Sequence, residues 1–384
     1  MKNDHKKWTL TFFITAVVLP SSLLMGFYYY DPLMLFHKPI NRAITLASNM
    51  RVQAPGVIKH LDYDSYIIGT SMLENTSGVE VSKVLGGHFA NISISDGDYY
   101  ERSFLLNLAL KKNAKTIIYS LDHAYLNQRK GKESYSTNSF SYLYGNELSR
   151  IKFYFQAKYI LCLMAWSESS KCIGKLITAD RPNAWMYKER HIKRFGGLDN
   201  WFKAKNNNQI EEALHSIMES IRSDQQGDIS SQQLSVEINK AINYVEDHLI
   251  TYVRSYPSTQ FYFIFPPYSR ITYALWHQKD TLNAKVHEEV VRYFAIKAAE
   301  LDNLELYGYE DQNFLDDMTI YKDPAHYHWS VNEKMLDDIA KRNHQLTSTN
   351  VSLYLQQAKS KALNYDLKGL VNKFDVYLTS SNDE

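Results

Sequence analysis

Nucleophilic acyl transfer uses a hydroxyl, an imidazole and a carboxylate, and this chain offers them at Ser71, His326 and Asp323. Ser71 ends the stretch SYIIGTS, an apolar run followed by Gly and small hydroxyls that is typical of a buried strand entering a turn. Asp323 and His326 stand three positions apart, shortly before a capping-box pattern that begins at Ser330. A carboxylate at this spacing can accept a hydrogen bond from Nδ1–H of the imidazole, which leaves Nε2 free to take a proton from a serine. We therefore expect a Ser–His–Asp relay if folding joins the two segments.

Each segment also has an ordinary interpretation. A serine after a strand is more often a turn or cap residue, and an isolated Asp-x-x-His is more often a solvated loop. Asp323, His326 and His328 together also resemble part of a metal site, but no further ligand follows at similar spacing. We expect no metal here.

The apolar runs predict an α/β fold. Alternating strands and helices favour a parallel sheet, which right-handed crossovers cover with helices on both faces to give three layers. Helices are predicted over residues 79–85, for about 14 residues from Tyr99, over about 233–255 and over about 280–301. The strands are predicted at residues 65–71, 88–95, 116–122, 261–265 and 304–309. Parallel strands end at one edge of a sheet, so we expect Ser71 and the Asp-x-x-His segment to meet there.

The N-terminal segment is predicted to be a transmembrane helix. No charged residue occurs from Trp8 to Tyr30, a length that crosses a hydrocarbon layer of about 30 Å. Lys2, Lys6 and Lys7 precede it, so the positive-inside rule places the N-terminus in the cytoplasm and the rest outside. We expect an uncleaved single-pass anchor in the cytoplasmic membrane and a periplasmic or cell-surface domain.

The remaining chain divides by composition. The large segment between the third and fourth strands reads as an insertion that shapes a substrate surface, with a polar linker around residues 223–233. In it, Arg181 and Trp185 suit sugar binding or a protein interface equally. The predicted units are the anchor (1–30), a juxtamembrane segment (31–60), the α/β domain (61–344) with its insertion (about 124–231), and a polar tail (345–384).

Cysteine content and charge exclude several classes. Cys162 and Cys172 are the only cysteines, which excludes a disulfide scaffold and a paired-CxxC zinc site. On one unbroken helix the two would stand about 15 Å apart and could not bridge. The 43 Lys+Arg against 42 Asp+Glu leave a net charge of +1, so nucleic acid is not expected as a partner.

The motifs together resemble the SGNH/GDSL hydrolase superfamily. GTSM at 69–72 is similar to its first block, and YKD-x-x-HY at 321–327 to its last. With FPPYS at 265–269, the pattern resembles envelope-associated members related to alginate O-acetylation proteins and to the D-alanylation protein of teichoic acids. The resemblance covers about residues 61–122 and 233–340. It implies an SGNH-like fold with Ser71 as nucleophile, His326 as base and Asp323 as its orienting partner.

The resemblance also implies an oxyanion hole, formed by the N–H groups of Ser71 and Gly97. The family's third block supplies an Asn amide as a further donor, whereas this chain has Asp122 and His123 after the third strand. An ionised Asp donates no hydrogen bond. The oxyanion must therefore be bound by His123, by an amide elsewhere, or by backbone donors alone. We expect Asp122 and His123 to contact substrate. Tyr268 and Arg270, which follow a strand ending at the same edge, either contact substrate as well or belong to a rigid loop with a buried Tyr.

The implied function is that of a membrane-anchored serine esterase or O-acyltransferase, without a cofactor, acting on acyl esters, chiefly O-acetyl esters, of a cell-surface polysaccharide. The resemblance further implies a multi-spanning membrane acyltransferase as partner. The departure in the third block favours an alternative, a non-catalytic polysaccharide-binding or assembly factor on a degenerate SGNH fold.

Overall fold

A six-stranded sheet forms the centre of the protein in a computed structural model, which describes residues 2–128, 137–203, 208–222 and 229–381. Its order is β2-β1-β3-β4-β5-β6; the first five strands are parallel and the sixth is antiparallel to the fifth. The strands are β1 (Ser65–Ile68), β2 (Phe89–Asn91), β3 (Thr116–Ser120), β4 (Gln260–Ile264), β5 (Leu304–Tyr307) and β6 (Gln345–Leu346). The predicted α/β class and parallel sheet are confirmed.

The sheet is covered on both faces because apolar side chains of its central strands point to either side. Ile117, Tyr119 and Phe263 pack into one hydrophobic cluster, whereas Ile118 and Ile264 pack into another on the opposite face. Successive strand residues point to opposite faces, so a continuous apolar run requires cover on both.

Helices supply that cover, and all four predicted helices are present. The segment predicted at 233–255 is helical but contains a π-helical turn, Glu246–Ile250. In chain order the helices are α1 (Lys2–Tyr30), α2 (Met50–His60), α3 (Gly78–Leu85), α4 (Tyr99–Lys111), α5 (Thr137–Tyr144), α6 (Glu147–Ile151), α7 (Ala157–Met164), α8 (Ser170–Ile173), α9 (Glu189–Ile192), α10 (Leu198–Lys203), α11 (Asn208–Arg222), α12 (Ser231–Val245), α13 (Thr251–Ser255), α14 (Arg270–Lys279), α15 (Thr281–Glu300), α16 (Ser330–Lys341), α17 (Val351–Asn364) and α18 (Leu367–Ser381).

The first helix, α1, is long and apolar enough to span a membrane. Its most apolar window has a mean hydropathy of 2.0, and only 6% of that window is buried against the rest of the protein. Only its last turns pack, through Phe27 and Tyr30, against a hydrophobic cluster of the α/β domain.

The segments on either side of the predicted α/β domain pack against it. In the juxtamembrane stretch, α2 is largely buried, and Arg51 forms an ion pair with Glu101 of α4 at 2.8 Å. In the tail, β6 extends the sheet, and the buried Tyr354 accepts a hydrogen bond from the N–H of Glu310 at 3.0 Å. The polar surface of α17 concealed this packing, because only one side of the helix is buried.

The segment predicted as an insertion is largely helical where it is described. Cys162 of α7 and Cys172 of α8 form a disulfide, with Cα atoms 5.7 Å apart. They bridge because the chain turns between two helices instead of continuing as one. Part of the predicted polar linker, residues 223–228, lies outside the described residues, and Ser231 already begins α12.

Candidate active site

A pocket of about 370 Å³ opens at the carboxyl edge of the sheet, beside the ends of β1 and β3. It contains most of the predicted site residues. Its lining consists of Thr70, Ser71, Met72, Asp96, Gly97, Asp98, Asp122, His123, Ala124, Asn127, Tyr268, Ala325 and His326.

Ser71 lies in a tight turn after β1. A Cβ at Gly69 would stand 2.8 Å from Ser120 Oγ and 2.9 Å from Leu73 Cβ, so only glycine lets the strand end this close to its neighbours. The N–H of Met72 donates to Thr70 Oγ1 at 3.3 Å, which fixes the turn on the other side of the serine. Ser71 is consequently half-buried, and its hydroxyl faces the pocket.

His326 meets Ser71 from the loop before α16. Its Nε2 lies 2.8 Å from Ser71 Oγ, and its Nδ1 lies 2.9 Å and 3.0 Å from the two carboxylate oxygens of Asp323. Asp323 also accepts the backbone N–H of His326 at 2.8 Å, so the Asp-x-x-His loop is closed by its own first residue. This geometry favours the tautomer in which Nδ1 carries the proton and donates a hydrogen bond to Asp323. Nε2 is then free to accept a hydrogen bond from the serine hydroxyl.

The loop differs from the prediction at its end. Helix α16 begins at Ser330 as expected, but no side chain caps it, so the capping box is wrong. The Ser330 hydroxyl instead lies 2.8 Å from Nδ1 of His328. In the described part of the chain no group of three or more His, Cys, Asp or Glu is arranged to hold a metal.

Lys322 adds a cation beside Asp323. Its Nζ lies 2.8 Å from Asp323 Oδ2, and its side chain is only 5% exposed. Burial by itself would raise the pKa of Asp323, but the charges of His326 and Lys322 and their hydrogen bonds hold that pKa well below its ordinary value. Asp323 therefore remains a carboxylate throughout the physiological range.

Trp185 connects the helical segment between β3 and β4 to Ser71. Its indole N–H donates to the carbonyl of Ser71 at 3.0 Å, and its ring meets that of His326 edge-on at 5.9 Å between centroids. Lys322 Nζ lies 4.8 Å from the centroid of the same indole. Trp185 is buried and thus positions the reactive groups, whereas Arg181 donates to the carbonyl of Asn75 at 2.8 Å. Sequence reasoning did not identify this positioning role, because the contact depends on how residues 179–186 cross the Ser71 turn.

Asp122 lies at the base of the pocket with its carboxylate already paired. It accepts hydrogen bonds from Thr70 at 2.6 Å and Ser120 at 2.6 Å, and it forms a buried ion pair with Arg102 at 3.0 Å. The hydroxyl of Tyr268 approaches the same carboxylate at 3.4 Å. Asp122 and Tyr268 both line the pocket as predicted. Their polar atoms, however, are bonded to each other and to neighbouring residues at the base of the pocket.

His123 lies in the pocket as predicted. Its ring packs edge-on against Tyr268 at 5.0 Å and Trp276 at 5.4 Å. The residue is open to the pocket, yet the surrounding protein desolvates the ring, which lowers the pKa of His123. A neutral imidazole is favoured at this position.

The two N–H groups predicted as oxyanion donors, those of Ser71 and Gly97, differ in whether an acceptor already binds them. The N–H of Ser71 has no acceptor among the described residues. The N–H of Gly97 donates to the carbonyl of Ile94 at 3.0 Å, so it is already paired and does not face the pocket as an unpaired donor. Glycine is required there for packing, because a Cβ would stand 2.4 Å from Ile94 Cγ1. Asn127 lines the pocket and carries an amide. In the sequence it stands in the loop after the third strand, close to the position at which the family supplies its Asn amide.

Arg270 is the predicted contact residue that does not reach the pocket. Its guanidinium is buried and donates to Asp316 at 3.1 Å and to the carbonyls of Glu310 at 2.5 Å and Gln312 at 2.7 Å. It therefore holds the loop after β5, and its predicted role in substrate binding is wrong.

No family model and no curated protein matches this chain by sequence.

Proposed function

We propose that the protein is a membrane-anchored, extracytoplasmic serine acyl-ester hydrolase or O-acyltransferase with an SGNH-like domain, acting on acyl esters of a cell-surface polysaccharide. The observation that carries the proposal is the continuous hydrogen-bonded chain from Ser71 through His326 to Asp323, at the edge of a pocket. Nucleophile, base and orienting carboxylate stand in the order that acyl transfer requires.

In the first step Ser71 Oγ attacks the ester carbonyl while His326 Nε2 takes the hydroxyl proton. The imidazolium then gives that proton to the departing alkoxide, which leaves as an alcohol, and the acyl group stays on the serine. In the second step water or a sugar hydroxyl attacks the acyl-serine, and His326 moves the proton back to Ser71 Oγ. Asp323, kept ionised by Lys322, stabilises the imidazolium in both steps.

The negative charge that develops on the carbonyl oxygen during attack must be stabilised by hydrogen-bond donors that face the pocket. The N–H of Ser71 and the amide of Asn127 are the groups that we assign to this role. The pocket is small and open, and Met72, Ala124 and Ala325 are among its apolar lining residues. These properties favour a short acyl group on a large alcohol that remains outside, as in an O-acetylated polysaccharide.

The proposed location rests on two observations. The lysines in the first turns of α1, ahead of its uncharged run, favour a cytoplasmic N-terminus and an external domain. The disulfide between Cys162 and Cys172 favours an oxidising compartment outside the cytoplasm, where such bonds persist. The pairing with a multi-spanning membrane acyltransferase remains part of the proposal, on the resemblance alone.

The test is labelling of the full chain in detergent micelles with a fluorophosphonate serine probe. We expect labelling of the wild type, loss of labelling in Ser71→Ala and His326→Ala, and full labelling in the control Ser255→Ala, whose hydroxyl is exposed and bonded to Thr251 O. Folded wild-type protein that does not react would overturn the catalytic proposal. The paired carboxylate of Asp122, in place of an amide donor, would then favour the polysaccharide-binding alternative.

A second assay separates hydrolysis from transfer. The chain is incubated with a small aryl acetate, with and without a methyl glycoside, and the products are identified by mass spectrometry. An O-acetyl glycoside that needs Ser71 indicates a transferase, whereas acetate as sole product indicates an esterase. Because the esterase and the transferase both form an acyl-serine, the labelling result applies to either activity.

A further inference from the structure

A group of exposed apolar side chains lies beside the C-terminal end of α1. Phe155, Leu161, Met164 and Trp166 range from 48% exposed for Phe155 to 78% exposed for Met164. We call these four residues the interfacial patch. A soluble surface rarely carries so many large apolar side chains in a dozen residues, so the patch indicates an interaction surface.

Packing fixes the patch at the level of the last turns of α1. The ring of Phe155 lies 5.6 Å from that of Phe27, and the ring of Trp166 lies 5.4 Å from that of Tyr30. Between them, Gly26 leaves room for α7: a Cβ on Gly26 would stand only 3.3 Å from the side chain of Leu163.

The length of α1 then sets the depth of the patch. The uncharged run Trp8–Tyr30 extends about 34 Å along a helix, slightly more than a hydrocarbon layer of about 30 Å. Its last turns therefore reach the boundary between acyl chains and headgroups. Tyr28 and Tyr29 are exposed at this level, as in the aromatic belt of a membrane protein.

The polar side of the same substructure carries positive charge. The disulfide joins α7 to α8, and next to it lies a cavity of about 430 Å³ whose lining includes Lys158, Lys171 and Lys175. Within the described ranges no acidic side chain pairs with these lysines. Basic groups at this height complement the phosphates of anionic lipids.

We propose that the interfacial patch inserts into the headgroup–acyl boundary of the membrane, on the side where the domain lies. The inference rests on the anchoring part of the proposed function. Together α1 and the disulfide-linked pair α7–α8 form a two-part membrane contact. The second contact prevents the domain from turning about α1, so the Ser71 pocket keeps a fixed height and direction relative to the membrane. Such fixation suits a polymer substrate or acyl donor presented at the membrane surface.

The test measures the depth of single nitroxide labels on the full chain in vesicles of phosphatidylethanolamine and phosphatidylglycerol. Cys162 and Cys172 are paired, so an introduced cysteine is the only thiol to react. Labels are placed at Leu161→Cys in the patch, at Val17→Cys within α1, and at Leu353→Cys, an exposed control on α17. Power saturation compares collisions with oxygen, which partitions into lipid, and with a water-soluble nickel chelate.

We expect the oxygen-to-nickel ratio to be several-fold higher at positions 161 and 17 than at 353. A ratio at 161 equal to that at 353, with 17 in lipid, overturns the inference while anchoring stands. Protection of 161 from both reagents means that protein covers the patch, and it also overturns the inference. A low ratio at 17 overturns the anchor and this inference together, whereas fluorophosphonate labelling reports separately on the serine site.

Discussion

Replacing Lys322 with methionine removes the lysine cation that pairs with Asp323. Lys322 Nζ lies 2.8 Å from the carboxylate, and the two side chains are 5% and 16% exposed. Methionine keeps the length and apolar character of the lysine stem, so the main change is the loss of charge.

The expected cost follows from distance and burial. Two unit charges at this 2.8 Å separation attract by about 6 kcal/mol at an effective dielectric constant of about 20, before the loss of hydration is subtracted. Removing one partner from a buried pair typically costs about 3–5 kcal/mol. Because His326 remains bonded to the same carboxylate, we expect the lower end, about 3 kcal/mol, in the free energy of unfolding.

The pH dependence of this loss has a defined sign. The pKa of Asp323 is depressed in the folded protein, so its ionisation stabilises the fold at pH values above its ordinary pKa of 3.8. That stabilisation disappears as the pH falls through the depressed pKa. The difference between wild type and Lys322→Met is therefore full at neutral pH and shrinks only in strong acid.

Urea unfolding of the full chain in micelles, followed by tryptophan fluorescence, measures both effects. The matched control is Lys341→Met, which removes a 62% exposed lysine from a 2.7 Å ion pair with the 60% exposed Asp337 on α16. An exposed pair contributes about 1 kcal/mol or less, so this control is expected to lose little stability. Equal losses in the two variants, or a loss for Lys322→Met that persists unchanged in acid, would refute the reasoning.

Two further predictions concern the helical segment between β3 and β4. Trp185→Phe removes the hydrogen bond to the Ser71 carbonyl. We expect labelling by the serine probe to slow by about ten- to a hundredfold, while the free energy of unfolding falls by only about 1 kcal/mol. Unchanged labelling would mean that the indole serves packing alone. The double variant Cys162→Ser, Cys172→Ser opens a short loop with a sequence separation of 10. We expect it to lose about 3 kcal/mol in urea unfolding, and wild-type protein treated with a reductant to match it; stability that does not respond to either change would contradict the disulfide.

Much of the fold could be predicted because its signals are local. Apolar runs marked the five parallel strands, and helical periodicity marked α4 and α15. The sixth strand was missed because Gln345–Leu346 is too short to show a pattern, and only its pairing with β5 defines it. The packing of the tail could likewise not be predicted, because α17 buries one face against helices that are distant in sequence.

The candidate site was predictable where topology alone decides position. Ser71 and His326 meet because parallel strands end at one edge. Arg270 was misassigned because a residue after a strand can turn toward the pocket or away from it, and the carbonyls of Glu310 and Gln312 draw its guanidinium away. The pairing of the Gly97 N–H with the Ile94 carbonyl could not be predicted, because the sequence gives no sign of whether a carbonyl already accepts from a backbone N–H.

The sequence by itself determined the class of fold, the apolar N-terminal helix, and the residue types at the edge of the sheet. These follow from periodicity, composition and spacing, which act within a few turns or strands of the chain. Only the tertiary structure decided which groups are already paired. It joined Trp185 to Ser71, Lys322 to Asp323 and Cys162 to Cys172. Such contacts depend on distances between segments far apart in the chain, and a hydrogen bond loses most of its strength within about an ångström of misplacement.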